Sequence, residues 1–264
     1  MAPPLFRIRS LQNTLVASWR LSPNFIPIAA TFLVSAVLLF TGVLYVPFGV
    51  FVFVTSGWIV SLCLHEAAHA LAAWYGGDRS VLDKGYLSLN PMAYAHPEMS
   101  FIMPVLFLVL GGIGLPGGAV YIDHAALRSR HWQALVSLAG PLANLACLLA
   151  LAIPFLFGLH LETGNGMFWS AVAFLAALQA SAVVLNLLPI PGFDGFGILG
   201  PYLPDAIQVR LWKVAGFMGA ILLLLFMFPA FNREIWGFVR TITGTLGISA
   251  DYVGFGSHAF RFWR

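Results

Sequence analysis

Charged residues are scarce in this chain. Lysine, arginine, aspartate and glutamate make up 9% of its 264 residues, whereas a soluble domain usually carries roughly a quarter. The deficit extends along the whole sequence, in which 60% of the residues are hydrophobic and the mean hydropathy is +0.89. This composition argues against a soluble domain with a single anchor. It predicts an all-α protein that crosses a membrane several times.

Cysteine is also scarce, and basic residues are few and scattered. Cys63 and Cys147 both lie in apolar runs, which provides no disulfide framework and predicts buried thiols. The net charge of +3 does not indicate a nucleic-acid partner, because the basic residues are dispersed and fit better as signals of membrane topology. No cleavable signal peptide is expected, since Arg7, Arg9 and Arg20 precede an apolar run that is too long for one.

Long apolar runs are what the chain has instead. Five reach the roughly 20 residues that a spanning helix needs: 25–46, 49–75, 133–158, 167–190 and 212–231. A sixth run, 101–115, would extend only about 22 Å as a helix, which is short of the hydrocarbon core. It also contains Pro104. We therefore predict five or six transmembrane helices, with 101–115 as a re-entrant segment.

The basic residues favour the re-entrant interpretation, taking the N-terminus as cytoplasmic. If 101–115 does not cross, six basic residues fall on the cytoplasmic side: Arg79, Lys84, Arg128, Arg130, Arg210 and Lys213. The two outer turns, near Pro47 and at 159–166, then contain no lysine or arginine. The basic residues of the C-terminal tail do not fit this rule, and its side stays open: either 235–249 crosses again or the tail breaks the rule.

The most polar part of an apolar run is the motif HEAAH at 65–69. On a helix His65 and His69 lie about 40° apart on one face, so both imidazoles can bind the same metal ion. Glu66 stands beside them, placed to act as a general base on a water molecule. Ionisable groups at membrane depth are costly and tend to mark function. The motif therefore predicts a metal site rather than a pair of structural histidines.

A zinc site needs a third protein ligand, and Asp194 is the candidate. The other apolar runs contain no acidic residue, but Asp194 follows the run at 167–190. In the topology above, this run and 49–75 cross in the same direction, which brings their C-terminal ends to the same side. Prolines and glycines break the helix between residues 189 and 195. Such backbone is tolerated at membrane depth where it is buried or lines a wet cavity.

Three segments together resemble a known family. HEAAH (65–69), AGPLAN (139–144) and NLLPIPGFDG (186–195) occur in this order, as in the site-2 proteases, which are zinc metalloproteases of the membrane. GYLSLNP (85–91) is also similar to a family segment, and we expect a short extended stretch there that pairs with the substrate. The resemblance covers roughly residues 49–200 and implies a catalytic core of three helices.

The resemblance implies a role for each matching residue. His65, His69 and Asp194 would bind one Zn²⁺ per chain, and Glu66 would be the general base. Asn186 matches a family asparagine thought to contact the substrate.

Asn144 belongs to the middle-helix motif, where a packing hydrogen bond and a contact to substrate are both open. One departure is that Gly192 and Phe193 stand where proline and leucine are common in the family, which changes the expected shape of this loop and leaves the metal positions intact.

The implied function is hydrolysis of peptide bonds in transmembrane segments, as in regulated intramembrane proteolysis. Two alternatives come from other classes: a transporter or channel that uses the histidines as an ion site, and an inactive homologue that only binds membrane partners. The first does not explain Glu66 between the histidines or Asp194 after a broken helix. The second is disfavoured because all four chemical positions are present. A zincin with a glutamate as third ligand would need a second motif that the chain lacks.

The expected organisation is one integral membrane domain over 1–264, with the catalytic core at 49–200. We expect 1–24 to be a cytoplasmic segment and 232–264 a C-terminal tail. The basic N-terminus favours a bacterial-type plasma membrane, with the active site towards the cytoplasm. The expected partners are a transmembrane protein substrate and the lipid bilayer, while the sequence indicates no oligomeric state.

Overall fold

The computed structural model describes residues 20–43, 46–94 and 120–263, except for most side chains between 214 and 227. Within these ranges the chain forms α-helices, short 3₁₀ turns and loops, with no β-strand. The helices are α1 (Phe25–Phe40), α2 (Val46–Gly76), α3 (Ser80–Asp83), α4 (Arg130–Leu156), α5 (Leu159–Glu162), α6 (Gly166–Asn186), α7 (Asp194–Leu199), α8 (Asp205–Met227), α9 (Pro229–Thr245) and α10 (Ala250–Phe260). The all-α prediction is confirmed.

Helix α6 forms the centre of the bundle. It is apolar around its whole circumference, as expected for a buried helix with no polar face. In its most apolar stretch of 18 residues, 83% is buried inside the protein. Helices α2, α4 and α6 are each long and apolar enough to cross a membrane. The predicted three-helix core therefore consists of these helices.

Helices α2 and α6 run in the same direction. Gly57 packs against Leu175, and one turn further along both helices Ser61 accepts a hydrogen bond from Gln179. The C-terminal ends of α2 and α6 therefore lie at the same end of the bundle, which we call the site end. This agrees with the prediction that the runs 49–75 and 167–190 cross in the same direction.

Helix α4 runs antiparallel to α2, because His65 contacts Asn144 whereas His69 contacts Val136. One face of α4 is left outside the bundle and carries a stripe of half-exposed residues at 135, 142, 149, 153 and 156, all of them leucine or isoleucine. Large apolar patches on a soluble protein would be a liability. A stripe of this kind is typical of a helix that crosses a membrane.

Two predicted runs differ from the observed helices at their ends. The run 25–46 forms only the 16-residue helix α1, which ends before Gly42 in the left-handed region at φ +72°. The carbonyl of Phe40 accepts a hydrogen bond from the Asn165 side chain, which satisfies one of the free carbonyls at this end. The run 212–231 is divided between α8 and α9, because Pro229 starts a new helix.

The prediction of an extended stretch at 85–91 is wrong. Tyr86–Ser88 form a 3₁₀ turn, and the flanking Gly85 and Leu89 are left-handed at φ +71° and +57°. The Ser88 hydroxyl donates to the Gly85 carbonyl at 2.7 Å, so the segment closes on itself. A closed turn presents no strand edge, so the segment does not offer the pairing surface that was expected.

Residues 232–263 pack against the bundle instead of trailing from it. Helix α9 begins at the site end, where Ile235 packs against Leu185, and α10 lies across the other end of α6. Phe260 at the end of α10 is fully buried against Phe174. These two helices therefore complete the hydrophobic core.

The re-entrant segment predicted at 101–115 lies outside the described residues, but its flanks are described. The Tyr94 hydroxyl donates to the Cys63 carbonyl, and the Val120 backbone N–H donates to Glu66 Oε2. Both flanks therefore contact neighbouring turns of α2. Asp78 holds the second flank in place, since its carboxylate accepts from the Asp123 N–H and from Ser80.

Candidate active site

Two histidines and one aspartate converge inside the bundle. His65 Nε2 and His69 Nε2 are 3.0 Å apart, and each lies 3.3 Å from a different carboxylate oxygen of Asp194. Both histidines are buried. The i, i+4 spacing on α2 places the two imidazoles on one face, as the motif predicted. Within the described part of the chain, this is the group of possible metal ligands that meets at a single point.

Asp194 reaches the histidines because α7 is pressed tightly into the bundle. A Cβ atom on Gly195 would lie 2.3 Å from the Leu187 carbonyl oxygen, and one on Gly197 would lie 2.3 Å from Ser137 Oγ. Only glycine permits these approaches. Gly192 turns the chain at φ +99°, a value that proline cannot adopt, which explains the departure from the family pattern at this position. The broken segment thus returns Asp194 towards α2.

Helix α4 holds both imidazoles from the other side. Pro141 cannot donate to the carbonyl of Ser137 and so loosens this turn of α4. The adjacent carbonyl, that of Val136, accepts from His69 Nδ1 at 2.7 Å. A carbonyl can only accept, so Nδ1 carries the proton. In the neutral imidazole, Nε2 then has its lone pair free for a metal.

A relay of buried side chains fixes His65 in the same way. The Ser61 hydroxyl donates to the Trp58 carbonyl at 2.8 Å and therefore accepts from Gln179 Nε2, also at 2.8 Å. Gln179 Oε1 in turn accepts from Asn144 Nδ2 at 2.8 Å.

Asn144 Oδ1 is left to face His65 Nδ1 at 2.5 Å, so Nδ1 must be the donor. The bare Nε2 of His65 points towards Asp194. Because the relay starts at a backbone carbonyl that can only accept, each later hydrogen bond has a defined direction.

The three ligands fit a zinc ion. Ligand atoms about 2.0–2.1 Å from a tetrahedral ion lie roughly 3.3 Å from one another, and the separations here are 3.0, 3.3 and 3.3 Å. Two bare imidazole nitrogens and a carboxylate would repel each other without a cation between them. Asp194 Oδ2 is buried and receives no hydrogen bond from any described residue. A metal ion bound between the two imidazole nitrogens and the carboxylate would remove this repulsion by accepting their lone pairs.

Gly140 of α4 lies directly against both imidazoles. A Cβ atom at this position would lie 2.2 Å from His69 Nε2 and 2.6 Å from His65 Nε2. Both distances are far shorter than a van der Waals contact, so any side chain here would displace the imidazoles. The missing side chain of Gly140 therefore lets α4 pack closely against the two histidines.

Glu66 occupies the position expected of a base. It is 1% exposed and lies on the same helix as both histidines. Its Oε2 accepts from the Val120 N–H at 3.1 Å. The Glu66 carboxylate is therefore oriented by the backbone of the segment that Asp78 anchors.

The two predicted substrate contacts differ in their surroundings. Asn144 bonds to His65 and Gln179, which favours the packing alternative over a contact to substrate. Asn186 is the buried last residue of α6, and its side chain makes no hydrogen bond to another described residue. The sequence did not point to Gln179, Ser61 or Val120. A glutamine in an otherwise apolar span was the one signal that could have revealed Gln179.

Comparison with known proteins agrees with this site. The chain is 45% identical over 215 residues to the protein named "Putative zinc metalloprotease Rip2" of Mycolicibacterium smegmatis, covering 81% of this chain and 82% of that one. The protein of the same name from Mycobacterium tuberculosis is 46% identical with the same coverage. "Putative zinc metalloprotease YwhC" of Bacillus subtilis is 26% identical over 201 residues, which are 73% of this chain and 88% of that one.

No protein-family model matches the chain, and no solved structure matches it. The identity to the mycobacterial proteins spans most of both sequences, including the helices that carry His65, His69 and Asp194. The chain belongs to the site-2 protease family of zinc metalloproteases.

Proposed function

We propose that this chain hydrolyses peptide bonds of transmembrane segments within the membrane, using Glu66 as the general base. The observation that carries the proposal is the convergence of His65, His69 and Asp194, 3.0–3.3 Å apart, beside a buried glutamate. An ion site for transport would not need a base held between its ligands.

The depth of the site supports cleavage inside the bilayer. His65 lies 11 residues and His69 seven residues before Gly76, the end of α2. At 1.5 Å per residue these are about 16 Å and 10 Å of helix. A hydrocarbon core of roughly 30 Å then encloses both ligands. Arg79, Lys84 and Arg128 follow or face this end of α2, which favours a cytoplasmic orientation.

Each residue of the site has a distinct task. His65, His69 and Asp194 would hold the zinc, with their geometry set by Asn144, the Val136 carbonyl and the fold of α7. When bound, zinc lowers the pKa of a water molecule towards neutrality and polarises a carbonyl group.

The carboxylate of Glu66 accepts the proton of the attacking water and donates it to the amide nitrogen that leaves. The N–H of Val120 holds this carboxylate towards the ligands during both transfers. Burial of the base keeps bulk water from competing for the proton.

The substrate must present an unwound segment, because a helix hides its carbonyls in internal hydrogen bonds. Asn186 stands at the end of α6, eight residues before Asp194, and its amide has both donors and an acceptor for an exposed peptide group. We assign it the contact to substrate. A transmembrane segment that contains helix-breaking residues is therefore the expected substrate class.

A glutamine variant tests the role of Glu66. Purified Glu66→Gln should bind one zinc per chain with the affinity of the wild type, yet cleave a single-span peptide at least about 10²-fold more slowly, because the amide cannot accept the proton. Zinc content by mass spectrometry and cleavage in detergent measure the two effects. Asp194→Ala should lose the zinc as well.

The matched control is Glu162→Gln, which makes the same change on an exposed residue of α5. It should leave both quantities unchanged. Cleavage by Glu66→Gln at the wild-type rate would exclude the proposed mechanism.

A peptide with a glycine–proline pair in its span should be cut faster than one with a polyleucine span, and equal rates would contradict the need for unwinding.

A further inference from the structure

Gln179 is the one strongly polar side chain in the middle of the central helix. It is completely buried, and the residues that precede it on α6 from Ala171 to Leu178 are all apolar. A buried amide at membrane depth is costly unless all its groups are bonded. Both ends of this amide are bonded, one to Asn144 and one to Ser61. A leucine would fill the same space without this cost.

The direction of the relay that contains Gln179 matters for the metal, because the reverse direction would have the opposite consequence. In the observed direction Ser61 donates to Trp58, and the relay ends with Asn144 Oδ1 facing His65. If both amides turned over, Asn144 would present its NH₂ group to His65 Nδ1. The imidazole proton would then move to Nε2, the atom that must bind the metal.

We propose that Gln179 is a positioning residue for zinc binding, which acts through Asn144 and keeps His65 in the form protonated on Nδ1. Ser61 sets the direction because its hydroxyl donates to a backbone carbonyl, which leaves only its lone pairs for Gln179. Since Asn144 Nδ2 donates to Gln179 Oε1, the other end of the same amide must face His65. Four residues on three helices thus determine one proton position.

The proton position of His69 does not depend on such a relay. His69 donates to the Val136 backbone carbonyl, whose direction cannot change. The inference rests on the proposed metal site, but it concerns metal binding alone and is measured without a cleavage assay.

The first experiment compares two substitutions at residue 179 in the full purified chain. Gln179→Leu should weaken Zn²⁺ and Co²⁺ binding about 10–100-fold, as is typical when a partner of a metal ligand is lost. The visible absorption of bound Co²⁺ should change with it. Gln179→Glu should restore affinity to within about threefold, because a carboxyl oxygen accepts from Asn144 in either protonation state.

A double-mutant cycle tests whether Gln179 acts through Asn144. In an Asn144→Ala background, the further change Gln179→Leu should weaken zinc binding by less than about twofold, because the intermediate is already missing. Fully additive losses would overturn the proposal. Wild-type affinity in Gln179→Leu, or an equal loss in Gln179→Leu and Gln179→Glu, would also overturn it.

If Gln179→Leu does not fold, Ser61→Ala carries the test, because it leaves Gln179 Nε2 without its acceptor. Ser181→Ala is the matched control, since Ser181 is equally buried but bonds only to the Leu178 carbonyl of its own helix. Ser61→Ala should weaken zinc binding relative to Ser181→Ala, and equal affinities would contradict the inference. A failure of the proposed function would appear instead as cleavage by Glu66→Gln with this metal pattern intact.

Discussion

Two glycines allow close helix contacts at opposite ends of the bundle. At the site end, the atoms nearest to a Cβ on Gly140 would be imidazole atoms, with His69 Nε2 at 2.2 Å. At the other end, a Cβ on Gly256 of α10 would lie 2.0 Å from the Ser170 backbone oxygen. Both residues are buried in helix–helix contacts, and glycine at such contacts lets backbones approach closely.

The comparison separates two uses of the same residue. The space at Gly256 is closed by the backbone of α6, so the missing side chain brings two helices together. The space at Gly140 is closed by two imidazoles, so the missing side chain lets these imidazoles keep the positions in which they meet Asp194. We therefore expect one glycine to control metal binding and the other to control stability.

The largest effect is expected at Gly140. In Gly140→Ala the added methyl group would collide with both imidazoles and displace them, so zinc affinity should fall more than about 100-fold, whereas losing a partner of a single ligand costs about 10–100-fold. Calorimetric titration of the metal-free protein measures this. The control Gly237→Ala lies in open space and should bind zinc normally. Wild-type affinity in Gly140→Ala would show that the ion lies elsewhere.

A smaller effect, on stability, is expected at Gly256. Because the added methyl group meets backbone atoms of Ser170, α10 must move away from α6, which should lower the free energy of unfolding by about 1–3 kcal/mol. Unfolding in mixed micelles measures it. Gly254→Ala is the control on the same helix, since nothing lies within 4 Å of its added methyl group. Reduced zinc affinity in the folded fraction of Gly256→Ala would break the comparison.

The smallest effect concerns Asp78 at the rim of the site end. Burial opposes ionisation of this carboxyl, but hydrogen bonds from Ser80 and from the Asp123 N–H lower its pKa overall. Because the folded pKa is below the unfolded value of about 3.9, the ionised form stabilises the fold above that value, and this contribution is lost as the pH falls through the folded pKa.

Asp78→Asn should therefore be about 1–2 kcal/mol less stable than wild type at pH 7, and the difference should shrink in acid. The matched control is Asp83→Asn, an exposed neighbour, which should be as stable as wild type at pH 7. A gap between Asp78→Asn and wild type that stays constant from pH 7 to pH 3 would mean that the charge of Asp78 is not involved.

Much of the site followed from local patterns in the sequence. The spacing of His65 and His69 fixes their common face because helix geometry is local, and the chain direction predicted that Asp194 would reach the same end. The segment 85–91 was not predictable in this way. Its left-handed residues, one of them Leu89, follow from contacts with other parts of the chain, such as the bond from the Ser22 N–H to the Ser88 carbonyl.

By itself, the sequence determined the membrane class and the core helices and predicted the metal ligands and the base, because apolar length and helical spacing are local properties. Only the tertiary structure decided that Gly140 faces the ligands and that Gln179 and Ser61 hold His65 through Asn144. These partners are 35 to 118 residues apart. Helix α6 is apolar on every side, so its sequence pattern does not indicate which face meets which neighbour. Packing against α2 and α4 sets that rotation, and the rotation completes the site.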